Sequence, residues 1–86
     1  MTLTDEQQFL LAANTVAAVH DYFHWRVVGS ALKWPEMKSV RMLRLLNEQL
    51  LVAAQRGEEA RLLPAGRQLA QQLLALDKQE QPSGRK

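Results

Sequence analysis

Cysteine is absent from the sequence, so there is no disulfide framework and no thiolate metal site, and a cytoplasmic setting is expected. Long hydrophobic runs are absent as well. The apolar stretches are interrupted every few residues, far short of the roughly 20 residues that span a bilayer, so no membrane partner is expected. The opening Met1-Thr2-Leu3-Thr4-Asp5-Glu6 lacks the basic start of a secretory signal. Histidine is confined to His20 and His24, with Asp21 between them. A metal ion needs three or four ligands, so these side chains are read as packed or hydrogen-bonded, with no metal site. There is no nucleophile–base–acid set, no phosphate-cradling glycine loop and no recognisable pair of carboxylates, so neither catalysis nor a cofactor is expected.

What is present fits one small domain. The 86 residues suffice for a single core and little more, which makes dimerisation a welcome source of extra burial. The formal charge of +2 is small, but its distribution is uneven. Residues 1–23 carry Asp5, Glu6 and Asp21 and no Lys or Arg. Residues 24–61 carry Arg26, Lys33, Lys38, Arg41, Arg44, Arg56 and Arg61 against Glu36, Glu48, Glu58 and Glu59. Basic charge is thus gathered in the middle of the chain, as in a segment facing a phosphate backbone.

Helical signals begin at once. Thr4 is a helix cap with acids in the following turn, and Phe9, Leu10, Ala13, Val16 and Ala17 recur at helical spacing, predicting a helix from 5 to about 20. Asp21-Tyr22-Phe23-His24 reads as a break. A second helix is expected from about His24 to Leu32, facing inward with Trp25, Val28, Ala31 and Leu32, and with Gly29 admitting the next helix closely. Pro35 suits the first turn of a third helix running to about Glu48, with Met42, Leu43, Leu46 and Leu50 as its inward stripe. Leu50–Ala54 and Ala60–Leu63 read as the arms of a hairpin around Arg56-Gly57-Glu58-Glu59; a single helix through Glu48–Leu63 is the competing reading. Pro64 opens a last helix with Leu69, Leu73, Leu74 and Leu76, fraying after Asp77. The expected organisation is one domain over residues 1–78 and a disordered tail over 79–86, mainly α with a small β-hairpin.

The run from Val28 to Leu73 resembles the winged helix-turn-helix regulators of the MarR and IclR type. Ala31-Leu32 with Trp34-Pro35 is similar to the turn between their two helices. Leu46-Asn47-Glu48-Gln49-Leu50-Leu51-Val52 is similar to the end of their recognition helix and first wing strand. Arg61-Leu62-Leu63-Pro64-Ala65-Gly66 resembles the Leu-Thr-Pro-Ala-Gly that closes the wing. The sequence departs from the pattern at Leu50, where a glycine is usual, at Leu63, where a threonine is usual, and at Ser39, which takes the place of a buried aliphatic while Val40 faces outward.

The resemblance implies a helix, a helix-turn-helix, a two-stranded wing and a C-terminal helix. It also implies a sequence-specific regulator that binds double-stranded DNA, a repressor acting as a homodimer. Its third helix would enter the major groove with Lys38, Arg41 and Arg44 as base readers and Val40 against a thymine methyl, while Lys33 and Arg56 meet phosphates or the minor groove. Phe9, Leu10, Ala13 and Val16 of the first helix, with Leu69, Leu73 and Leu76 of the last, are the expected dimer surface. Trp25 and Trp34 are read as core rather than base-stacking residues. The alternative is a protein-binding adaptor or inhibitor with the same fold and no DNA partner.

Overall fold

A computed structural model describes residues 3–18, 22–55 and 59–80. The chain is mainly α, with four helices and a three-stranded antiparallel sheet. Helix α1 spans Asp5–Val16. Its start is closed by a reciprocal pair of hydrogen bonds: the Gln7 N–H donates to Thr4 Oγ1 at 3.1 Å, and the Thr4 N–H donates to Gln7 Oε1 at 3.0 Å. Two of the first-turn donors that a helix leaves unpaired are thereby used. The helix stops at Val16, with the Ala17 N–H still reaching the Ala13 carbonyl, rather than continuing to about residue 20.

The segment read as a break is a strand. β1, Tyr22–His24, pairs antiparallel with a later strand and buries Phe23 on its inward side. It passes directly into helix α2, Trp25–Leu32, whose cap is His24: Nδ1 accepts the Arg26 N–H at 3.1 Å. Helix α3, Glu36–Glu48, then strands β2, Val52–Gln55, and β3, Glu59–Leu62, and helix α4, Pro64–Glu80, complete the chain. The expected hairpin forms, with Val52 opposite Leu62 and Gln55 opposite Glu59. β3 lies in the middle of the sheet, in the order β1-β3-β2, so the sheet has one strand more than the sequence reading allowed. Gly57 and the rest of the hairpin tip lie outside the described residues. α4 continues through Glu80, past the predicted fraying point.

α2 and α3 end in the same way. At the end of α2 the Trp34 N–H donates to the Gly29 carbonyl at 2.8 Å and the Lys33 N–H to the Ser30 carbonyl at 3.0 Å, with Lys33 left-handed at φ 61°. At the end of α3 the Leu51 N–H donates to the Leu46 carbonyl at 3.0 Å and the Leu50 N–H to the Asn47 carbonyl at 3.1 Å, with Leu50 at φ 60°. This double bond pattern satisfies the last carbonyls of a helix, and its left-handed position is usually glycine. Leu50 therefore belongs to the cap and not to the inward stripe, and 70% of it is exposed.

The core is built around Phe9, which is fully buried and meets the Phe23 ring edge-on at 6.2 Å and the Trp34 ring at 5.7 Å. Leu10, Ala13, Val28, Leu43, Leu46, Val52, Ala60, Ala70 and Leu73 belong to the same core. Four of the residues expected at a dimer surface are inside this core: Phe9, Leu10 and Ala13 on α1, which packs against α2 and α4, and Leu73, which is 4% exposed. Val16 and Leu69 are half-buried against it, which leaves Leu76, joined by Leu74, as exposed leucines of α4. The apolar periodicity was a core signal.

Two glycines set helix spacings. A Cβ on Gly29 would overlap the buried Ser39 Oγ, and a Cβ on Gly66 would overlap the Leu51 carbonyl oxygen. Gly29→Ala is expected to lower stability by about 1–3 kcal/mol in urea unfolding, with part of the loss recovered on adding Ser39→Ala. Leu50→Gly moves the other way. Relief of a left-handed penalty of about 1–2 kcal/mol, less about 0.5–1 kcal/mol for the extra flexibility of glycine, raises the unfolding free energy by about 0.5–1 kcal/mol.

Candidate nucleic-acid interface

α3 is oriented by what it buries. Ser39, Leu43 and Leu46 face the core, so the opposite side presents Met37, Arg41, Arg44, Leu45 and Glu48 to solvent. Ser39 is the one buried polar residue of this helix, and its Oγ donates to the Pro35 carbonyl at 3.2 Å. A hydroxyl bonded to its own helix can sit where a larger aliphatic would separate α2 from α3. The sequence reading of Ser39 as the inward residue holds. Val40 is half-buried at the edge of the core and reaches the surface on one flank.

Met37, Arg41 and Arg44 are spaced i, i+4, i+7, which aligns them on one ridge. Beside that ridge lies an open cleft of about 490 Å³ lined by Trp25, Arg26, Glu36, Met37, Val40, Arg41 and Arg44. Three arginines thus line it together with Trp25, Met37 and Val40. Arg26, from the first turn of α2, lies 3.6 Å from the Glu36 carboxylate and 5.2 Å from the Trp25 ring. Among the described residues, Arg41 and Arg44 have no ion-pair partner.

Lys38 does not share this ridge. Its ammonium lies 3.1 Å from Asp5 Oδ2 and 4.3 Å from the centre of the Trp34 ring, so it ties α3 to the start of α1 and to the turn below. Of Lys38, Arg41 and Arg44, it is the one with an ion-pair partner among the described residues. Lys33 is exposed at the end of α2 and lines a second opening, about 520 Å³, with Trp25, Arg26, Ser30 and Trp34. Arg56 and His20 lie outside the described residues. Trp25 is buried and Trp34 half-buried, as core residues. Sequence reasoning passed over Arg26 and Met37. Arg26 was counted only as charge, and its place in the first turn of a helix was the available signal. Met37 stands one turn before Arg41, which marks it once the outward face is known.

No family model matches the chain, and neither the curated proteins nor the solved structures searched contain a match. Among the described residues no helix is long and apolar enough to cross a membrane.

The bridge from Lys38 to Asp5 is partly exposed at both ends, so its contribution is modest. A double-mutant cycle with Asp5→Ala and Lys38→Ala is expected to give a coupling of about 0.2–1 kcal/mol that shrinks as salt is added, measured by urea unfolding.

Proposed function

We propose that this chain is a winged-helix protein that binds duplex DNA and regulates transcription, with α3 as the recognition helix and the β2–β3 hairpin as the wing. The observation that carries this reading is the outward ridge of α3, where two arginines with no ion-pair partner among the described residues project from a helix whose opposite face is buried. The element order supports it: helix, strand, two helices joined by a short turn, then a hairpin whose second strand pairs with the first strand. α3, at 13 residues, is roughly 20 Å long and fits a major groove roughly 12 Å wide. Arg41 and Arg44 are assigned to guanine edges, where a guanidinium makes paired hydrogen bonds. Arg26 and Lys33 are assigned to phosphates that fix the register of the helix on the duplex, and Arg56 of the hairpin tip to the same backbone. Occupying an operator is then the simplest form of repression. A homodimer would bring two such helices to a palindromic site, with the exposed Leu74 and Leu76 of α4 as apolar surface for it.

A protein-docking reading rests on one observation. Met37 is 70% exposed and Leu45 38% exposed on the same helix, and both line a shallow cleft with Pro35 and Met42. The two readings separate by salt. Binding to phosphates weakens steeply as salt rises, whereas docking through apolar side chains does not.

The test is fluorescence anisotropy with mixed-sequence duplex at low and at physiological salt, followed by selection from a random DNA pool. Binding that falls with salt and a selected palindrome are expected; no affinity at low salt removes the reading. Arg41→Ala with Arg44→Ala is expected to weaken binding to the selected site by at least tenfold, since each paired contact is worth about 1–3 kcal/mol. Helical circular dichroism should remain unchanged. Lys38→Ala should weaken binding less than either arginine change.

A further inference from the structure

Met37 is left unexplained by the fold. The core closes without it, and 70% of its surface is in solvent at the second residue of α3. It heads the ridge that continues through Arg41 and Arg44, and it lines the same cleft as Val40. Resting on the DNA-binding reading, we infer that Met37 is a specificity-determining residue that, with Val40, seats the 5-methyl group of a pyrimidine in the major groove.

The chemistry narrows the choice of group. A thioether has no donor and is only a weak acceptor, so Met37 cannot distinguish bases by hydrogen bonding. The one apolar feature that a natural base pair presents in the major groove is the C5-methyl of thymine. Met37 and Val40 are three residues apart and line the same cleft as Arg41 and Arg44. A flexible thioether beside a branched aliphatic offers apolar surface against which a methyl group can pack. Along the helix, Met37 and Arg41 are separated by roughly 6 Å, under two base steps of about 3.4 Å. The methyl therefore belongs to a base one or two steps from the guanine assigned to Arg41. Cytosine methylated at C5 carries the same group at the same place and would be accepted there.

The experiment uses the full chain and duplexes selected by it from a random pool. Each thymine of the selected site is replaced singly by uracil, which deletes the methyl and leaves every hydrogen-bonding group in place. Affinities are measured for the wild type, Met37→Ala and Met37→Gln. The expected result is one thymine per half-site, one or two steps from an invariant guanine, whose replacement weakens wild-type binding about fourfold. That factor corresponds to the transfer of about one carbon, ~0.8 kcal/mol. The same replacement should weaken both variants less than the wild type, because only the Val40 half of the seat remains. Failure to select any DNA removes the DNA-binding reading and this inference with it. Selection of a site in which no thymine responds to uracil, or one in which the variants respond as the wild type does, overturns the role of Met37 and leaves DNA binding standing. Because Met37 is exposed, both variants should fold, and their unfolding midpoints should match the wild type.

Discussion

The contact between Gly29 and Ser39 governs the rest of the structure. It lets the backbones of α2 and α3 approach until a single added carbon would overlap the serine hydroxyl. Such an approach requires a glycine on one helix and, on the other, a small residue whose polar group is already satisfied. Ser39 meets the second condition by donating to Pro35, the residue that opens its own helix. The turn between the helices is correspondingly short. Lys33 adopts a left-handed conformation at the end of α2, Trp34 returns its N–H to Gly29, and Pro35 prevents the first helix from running on. With the crossing point fixed in this way, the rotation of α3 about its axis is fixed too. Ser39, Leu43 and Leu46 point inward, so Met37, Arg41 and Arg44 have no choice but to point out.

A second constraint holds the sheet to the helices. After α3 the chain reverses through Leu50 in a left-handed conformation, and the next carbonyl, that of Leu51, accepts the Leu63 N–H at 3.1 Å and lies against Gly66. One peptide group therefore sets both the start of β2 and the seat of α4. The Ala54 N–H, donated to Asn47 Oδ1, adds a link from the hairpin back to α3. Much of the core is correspondingly small in volume: Ala13, Ala17, Ala60 and Ala70 are all buried. In a chain of this length close approach of backbones takes the place of bulk at these positions, while Phe9 packs between Phe23 of β1 and Trp34 of the turn after α2.

How much of this could be read from the residues differs by element. The limits of α3 were legible because Pro35 opens it and the pattern of buried and polar positions changes after Glu48. The value of Gly29 was legible for the same reason: a glycine within a helical stretch needs a neighbour that approaches it. β1 was not legible. Three residues are too short for an alternating pattern, and the strand is held by β3, almost 40 positions later (Phe23 opposite Ala60). Non-local pairing of this kind leaves little local trace. The α1 face of Phe9, Leu10 and Ala13 was recognised as apolar, yet periodicity cannot say whether a face is covered by its own chain or by a second copy. Lys38 was grouped with Arg41 and Arg44 by spacing alone. Its partner Asp5 lies 33 positions away, and only the packing of α1 beside α3 brings them together.

The separation of Lys38 from the two arginines bears on how selective the proposed function can be. With a net charge of only +2, the chain has little general attraction for a polyanion, so affinity must come from a few well-placed contacts. One recognition helix presenting Met37, Arg41 and Arg44 covers about 10 Å of groove, or roughly three base steps. Three base pairs specify too little to mark a site among the many competitors in a genome. A second copy doubles what is read and adds the spacing between the two helices as a further requirement. In the proposed reading the exposed leucines of α4 are suited to that purpose because α4 packs on α1, leaving the outward ridge of α3 to the duplex. The lysine that pairs with Asp5 then matters indirectly, as one modest link between α3 and α1 beside the packing that sets how the two ridges stand in an assembled pair.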